Sequence, residues 1–374
     1  MFDFLKGLPP WLQLGLSFPL IFLNGWLLFI LLNYFQPLSS IFVASVLLAF
    51  LLDLPVRSLQ KSGLKKGWAI SVVFSFALLV TAIALLILVP LIVGQLTELI
   101  SNSPQWITSA NEQLSRLQTW ETAHNISVNL DLSQFINQAV EKLTSLLNSL
   151  GNQILNVVGV TITTLFNGLI IIVLTVFLVL TGEQVSEGIF SWLPAPWNQQ
   201  LRETMRITFT RYFATQAMLA GILSLAQILV FAVLQVPYAV LFAITIGLTT
   251  LIPYASGISI VIISFLLMLQ NFWLGVKVLI AAVIVGQIND NIVAPRLMGD
   301  MTGLNPVWII VSLFVGGKLG GILGLLIAVP LASVIKSTVD HLRLRAAEKS
   351  NTVLMEGLQS ESPQPLAIAD QTRE

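Results

Sequence analysis

The sequence predicts an all-α, polytopic integral membrane protein. Three observations predict it. Hydrophobic residues make up 56% of the 374 and charged residues only 10%, against about 25% charged in an ordinary soluble domain, so the chain cannot cover a globular surface with charge. The apolar residues fall in continuous runs of spanning length, where a membrane β-barrel would alternate. A backbone in lipid must satisfy its own hydrogen bonds, which makes each run helical.

Eight hydrophobic segments follow in order: 14–34, 38–54, 67–93, 155–181, 213–236, 238–269, 273–291 and 305–336. Lys6 is the only basic residue before the first, and no small-x-small cleavage pattern follows it, so this segment is read as a retained span. Segments 238–269 and 305–336 are long for one crossing and are interrupted inside. The expected organisation is N-terminal spans (1–93), an external amphipathic segment (94–154), a membrane transport core (155–340) and a polar, disordered cytoplasmic tail (341–374). In the external segment, Phe135, Ile136, Ala139, Val140, Leu143, Leu146, Leu147 and Leu150 form one helical stripe with Asp131 as N-cap, and Leu96, Leu99, Ile100, Trp106 and Ile107 form a weaker one. These helices pack on each other, lie on the membrane, or form a subunit-contact arm.

Charge sets the orientation. Arg57, Lys61, Lys65 and Lys66 lie in one connector, Arg202, Arg206 and Arg211 in another, and Arg343, Arg345, Lys349 and Arg373 in the tail. The segment 94–154 has only Arg116 and Lys142 against five acids. Basic residues stay inside, so both termini are expected in the cytoplasm and 94–154 outside. Eight crossings satisfy this. So do six, with both interrupted segments re-entrant.

Composition also excludes functions. Net charge is zero and gives no reason to expect nucleic acid; cysteine is absent; His124 and His341 are the only imidazoles. There is no nucleotide-binding loop and no soluble domain large enough for an ATPase. The expectation is a protein that is not an enzyme, with no metal and no cofactor.

Three stretches carry the candidate chemistry. "QINDNIVAPRLMGDMTGLNP" (287–306) interrupts the apolar pattern: Pro295 and Pro306 lack backbone donors, Gly299 and Gly303 permit turns, and Asp290, Asn291, Arg296 and Asp300 are polar. It is expected to break the helix. "VGGKLGGILG" (315–324) sets Gly316, Gly317, Gly320, Gly321 and Gly324 around Lys318; such a charge inside a span needs water, a carboxylate or carbonyls, or a snorkelling path. "GLTTLIPYASGIS" (247–259) holds Gly247, Pro253, Tyr254 and Gly257. Paired broken helices mark transporter sites. The pathway candidates are Pro253, Tyr254, Asp290, Asn291, Arg296 and Lys318. The hinge candidates are Gly247, Gly257, Pro295, Gly299, Pro306, Gly316, Gly317, Gly320 and Gly321.

The order "VPYAV" (236–240), "LIPY" (251–254), "APRLMG" (294–299), "GLNP" (303–306), "GGKLGGILG" (316–324) and "AVP" (328–330), with Tyr212 and Gln216 as Y-x-x-x-Q, resembles the autoinducer-2 exporter family of bacterial membrane proteins over roughly 15–340. The resemblance implies a multi-pass inner-membrane transporter, export of autoinducer-2 in some members, sodium/proton exchange in others, and homo-oligomers, namely pentamers. Two departures stand out: the family's "PYxGP" reads "PYASG", and Lys318 replaces a small or apolar residue. The expected function is gradient-driven export of a small polar solute such as an autoinducer-2-like signalling molecule or related metabolite, with H+ or Na+ as coupling ion. The alternatives are a sodium/proton antiporter on the same scaffold and a non-transporting membrane scaffold. Asp290 is expected to carry the ion or to pair with Lys318.

Overall fold

A computed structural model describes residues 10–123, 162–193, 197–298 and 304–360, with isolated positions between 138 and 149. Its regular elements are all helical: α1 (Pro10–Tyr34), α2 (Leu38–Lys61), α3 (Lys66–Ser101), α4 (Ser103–Ala123), α5 (Ile162–Phe190), α6 (Trp197–Val233), α7 (Ala239–Thr249), α8 (Ala255–Gln270), α9 (Phe272–Ile288), α10 (Ala294–Met298) and α11 (Pro306–Ser360). A π-helical turn, Asn289–Val293, joins α9 to α10. Nearly all of the stripe from Leu132 to Leu150, together with Asp131, lies outside the described residues, as do Gly299, Asp300 and Gly303.

Two apolar clusters organise the helices. In the first, α5 packs on α2 and α3 through Val56, Ala69, Ile70, Val73, Phe74 and Val179. The Ser45 hydroxyl donates to the Ile171 carbonyl at 3.3 Å, and the Thr175 hydroxyl to the Ser45 carbonyl at 3.4 Å, tying α2 to α5 where both side chains are buried. In the second, the end of α3 and α4 pack with α6, α7, α8 and α9. The weaker stripe accounts for α4's place: Leu96, Leu99 and Trp106 are buried in this cluster beside Tyr238, Leu241 and Phe242. The start of segment 94–154 therefore packs on α6, α7 and α8.

Six helices are long and apolar enough to cross a membrane. One of them, α11, reverses: at Gly321 φ is +56° and ψ −135°, outside helical geometry. Cβ atoms added at Gly316 would meet Gly324 and Ala328, and one at Gly317 would meet Leu325. A straight helix would separate residues 316 and 328 by about 18 Å, so the arms 306–320 and 322 onward run antiparallel in a hairpin. The inbound arm is about 22 Å long, short of the ~30 Å hydrocarbon thickness.

The α7–α8 pair also doubles back. Its two ends are held on α3 and α4. The Leu241 N–H donates to Gln95 Oε1 (2.8 Å), and Asn102 Nδ2 donates to the Tyr238 hydroxyl (3.0 Å). At the other end Gln113 Nε2 donates to the Leu269 carbonyl (3.1 Å) and the Phe272 N–H to Gln113 Oε1 (3.1 Å). Both ends thus lie on the α4 face. The eleven residues of α7 reach about 16 Å inward, half a membrane. Both interrupted segments double back on themselves.

Helix continues where the sequence pattern expects a break. The chain stays helical through Pro295 to Met298. A proline ring clashes with the carbonyl four residues earlier and supplies no N–H; the π turn widens the helix just ahead of Pro295 and relieves that clash.

Candidate functional site

The tip of the α7–α8 hairpin, Thr250–Tyr254, sits against the middle of α6. A Cβ on Gly247 would overlap the Ser224 hydroxyl and the Ala220 carbonyl, so only glycine lets α7 lie this close to α6. One turn later the helix ends. Tyr254 takes a left-handed conformation (φ 68°), as does Tyr238 at the hairpin's entry (φ 59°). Non-glycine residues there cost about 1–3 kcal/mol each and cluster at functional sites. Tyr254 is 54% exposed.

On α6 the buried positions Gln216, Ala220, Leu223, Gln227 and Phe231 recur at helical spacing on one face. Gln227 Nε2 donates to the Ala282 carbonyl of α9 at 3.1 Å. The Gln216 amide donates to the buried Tyr212 hydroxyl at 3.3 Å. Along α9, Gly275, Val278, Ala282 and then Asn289 are buried in the same periodic way. Counting antiparallel from the Gln227–Ala282 contact, Asn289 falls level with Ala220, the residue whose carbonyl Gly247 approaches. The π turn and α7 therefore both meet α6 near Ala220, one turn from Gln216.

The π turn divides its polar groups. Asp290 and Asn291 are exposed, whereas Asn289 is 3% exposed. Asn289 Nδ2 donates outward to Asp290 Oδ1 at 3.1 Å, while its Oδ1 is buried with no hydrogen-bond partner. A buried acceptor left unmade costs about 1–3 kcal/mol. Asn291 Nδ2 donates to Gln287 Oε1 at 2.6 Å, and Arg296 is exposed on α10. Asn289 is absent from the sequence-derived candidates. Its signal was present: it continues the spacing of Val278 and Ala282, which turns it into the bundle while Asp290 turns out.

Lys318 lies three residues before the reversal at Gly321 and is exposed. The ion pairs of the described residues, Arg57 with Asp53 and Glu183, Arg202 with Glu187, and Arg206 with Glu203, do not include Lys318, Asp290 or Arg296. The structure thus does not bring Asp290 and Lys318 into a pair. The main packing partners of α11 are α6 and α2. Asp53 on α2 accepts from Arg57 Nε at 2.6 Å and is already paired with a positive charge. Of the hinge candidates, Gly247, Gly316 and Gly317 sit at close contacts and Gly321 at the reversal, whereas Gly257 and Gly320 face open space. Pro306 opens α11, with Asn305 Oδ1 accepting from the Val307 N–H at 3.0 Å. Pro253 lies in the hairpin turn.

The family model described as AI-2E family transporter matches residues 16–344. A protein described as a transport protein in Synechocystis sp. is 36% identical over 345 residues, covering 89% of this chain and 98% of its own. A second from the same organism is 34% identical, covering 89% and 85%. The AI-2 transport protein TqsA of Escherichia coli is 25% identical over 356 residues, covering 92% and 99%.

Proposed function

The chain belongs to the AI-2E transporter family, and from that membership we propose that it exports a small polar solute, driven by an ion gradient. The observation that carries this is the pair of re-entrant hairpins, α7–α8 and α11, both packed on α6. One opens on the α4 face. The other opens on the face where α2 meets α3, because the chain reaches it through α9 and α10. Broken elements that enter a bundle from opposite sides and stop near its middle suit alternating access to a central site. With α1 counted as a crossing, six crossings and two hairpins are compatible with both termini and the basic connectors in the cytoplasm and α4 outside. On this topology α10 and the start of α11 lie toward the cytoplasmic side.

Each candidate then has a role. Tyr254 and Pro253 present the outer hairpin tip to the solute. Asp290, exposed and without a basic partner among the described residues, carries the coupling ion. Asn291 and Arg296 line the inner mouth. Lys318, at the tip of the inner hairpin, finds its counter-charge in an acidic or strongly polar group of the solute. The autoinducer-2-like class follows the named function of TqsA. Large apolar side chains of the inbound α11 arm, Trp308 (63% exposed) and Phe314 (78% exposed) among them, suit lipid or a second copy in a homo-oligomer such as a pentamer.

Asp290 in the π turn also favours a second reading, sodium/proton exchange. Energised inside-out vesicles with a pH-sensitive dye separate the two. Dequenching on an autoinducer-2-type solute, abolished by Asp290→Asn, supports proton-coupled export. Dequenching on sodium alone supports the antiporter. Silence to both rejects each.

A further inference from the structure

Its own chain buries α3 only at the two ends. Ala69, Ile70, Val73 and Phe74 are buried in the first cluster, and Leu96 and Leu99 in the second. Between Ser75 and Ile87 no residue is buried. One exposed stripe runs down the helix from its first turn. Trp68, Val72, Phe76 and Leu79 recur at spacings of four, four and three, away from the packed face. The stripe is about 16 Å long, close to half the ~30 Å hydrocarbon thickness.

This stripe has a charged head. Lys61, Lys65 and Lys66 lie just before it, and all three are exposed. The acids in the ion pairs at this end of the bundle are already engaged by arginines: Asp53 and Glu183 by Arg57, Glu187 by Arg202 and Glu203 by Arg206. None of the three lysines is in an ion pair of the described residues. Lys66 Nζ donates to the Leu180 carbonyl of α5 at 2.9 Å, which uses one of its three donors and leaves its charge unmatched.

We propose that this corner binds an anionic phospholipid. The phosphate headgroup sits on Lys61, Lys65 and Lys66, the Trp68 ring lies at the level between headgroup and tail, and an acyl chain runs along Val72, Phe76 and Leu79. Tryptophan is enriched at that membrane level, and each lysine near an anionic lipid surface strengthens attachment about fivefold. A second copy of the chain would cover the apolar stripe and leave the lysine charge unmet. An anionic phospholipid meets both. The site needs only a membrane around the chain and is independent of what the chain transports.

Native mass spectrometry of the purified full-length protein in a non-ionic detergent tests this, with phosphatidylglycerol and phosphatidylcholine of identical acyl chains added in equal amounts. Phosphatidylglycerol should be retained about tenfold or more in preference to phosphatidylcholine. The combined Lys61→Gln, Lys65→Gln and Lys66→Gln variant should lose that preference. Arg343→Gln with Arg345→Gln, which removes two charges from the tail, should keep it. Phe76→Ser should lower retention of both lipids, because it acts on the tail and not on the headgroup. Equal retention of the two lipids overturns the site. So does a preference that survives the lysine variant, or one that falls as far in the tail variant. If Phe76→Ser dissociates an oligomer without lowering lipid retention, the stripe belongs to a second copy and the proposal fails. Should the combined lysine variant not fold, Lys61→Gln and Lys65→Gln decide singly by the same criterion.

Discussion

Gly316 and Gly324 face each other across the α11 hairpin so closely that a Cβ on either would overlap the other's carbonyl. The contact is between backbones, so no side chain can rotate away to make room.

Gly324→Ala should therefore be destabilising. Alanine improves helix propensity by about 1 kcal/mol, but overlap with backbone costs about 1–3 kcal/mol or more, and the overlap wins. Thermal unfolding should show a lower midpoint for Gly324→Ala and for Gly316→Ala. Gly320→Ala, which meets nothing within 4 Å, should unfold at the wild-type temperature or above.

Gln113 clamps the exit of the outer hairpin through its bonds to the Leu269 carbonyl and the Phe272 N–H. Gln113→Ala should cost about 1–3 kcal/mol and free that corner locally. Hydrogen exchange should speed up at residues 268–274 and stay unchanged across α2 and α5. Uniform acceleration would mean that the clamp acts on the whole fold.

Lys318 should set which solutes pass. Lys318→Gln removes the charge and keeps the length, and it should lower export of an acidic solute about tenfold or more. Lys318→Arg should retain most of it. If Lys318 merely extends to the interface, Gln and Arg should behave alike, and counterflow assays with one acidic and one neutral solute would show it.

The Arg57–Asp53 pair is partly exposed, so Arg57→Ala should change stability by no more than about 1 kcal/mol and leave the ion dependence of transport unchanged. A lost ion dependence would move the coupling site from the π turn to Asp53.

Sequence made the apolar segments legible because lipid imposes a length and continuity that composition displays directly. It also marked both interruptions, since Pro253 and the glycines around Lys318 are poor helix residues. It left open whether those segments cross or return, because that depends on contacts such as Gly247 with Ala220, invisible to composition. It misread Pro295 as a stop because a π turn accommodates proline inside a continuing helix. At the candidate site it chose the charged Asp290 over Asn289. The buried amide becomes visible only when the helix face is known. The clamp residues Gln95, Asn102 and Gln113 gave no signal, being ordinary polar residues of a segment read as external.

The central claim is that the two hairpin tips face a water-filled pathway, and the absence of cysteine makes it directly testable. Single cysteines at Tyr254 and Lys318 are exposed to a membrane-impermeant thiol reagent in right-side-out and inside-out vesicles, with Ser62→Cys in the α2–α3 connector as a reactive control. The account predicts labelling of position 254 from the α4 side and of position 318 from the opposite side, each slowed by solute. Two unreactive tips beside a labelled Ser62→Cys would mean a dry core and would contradict it.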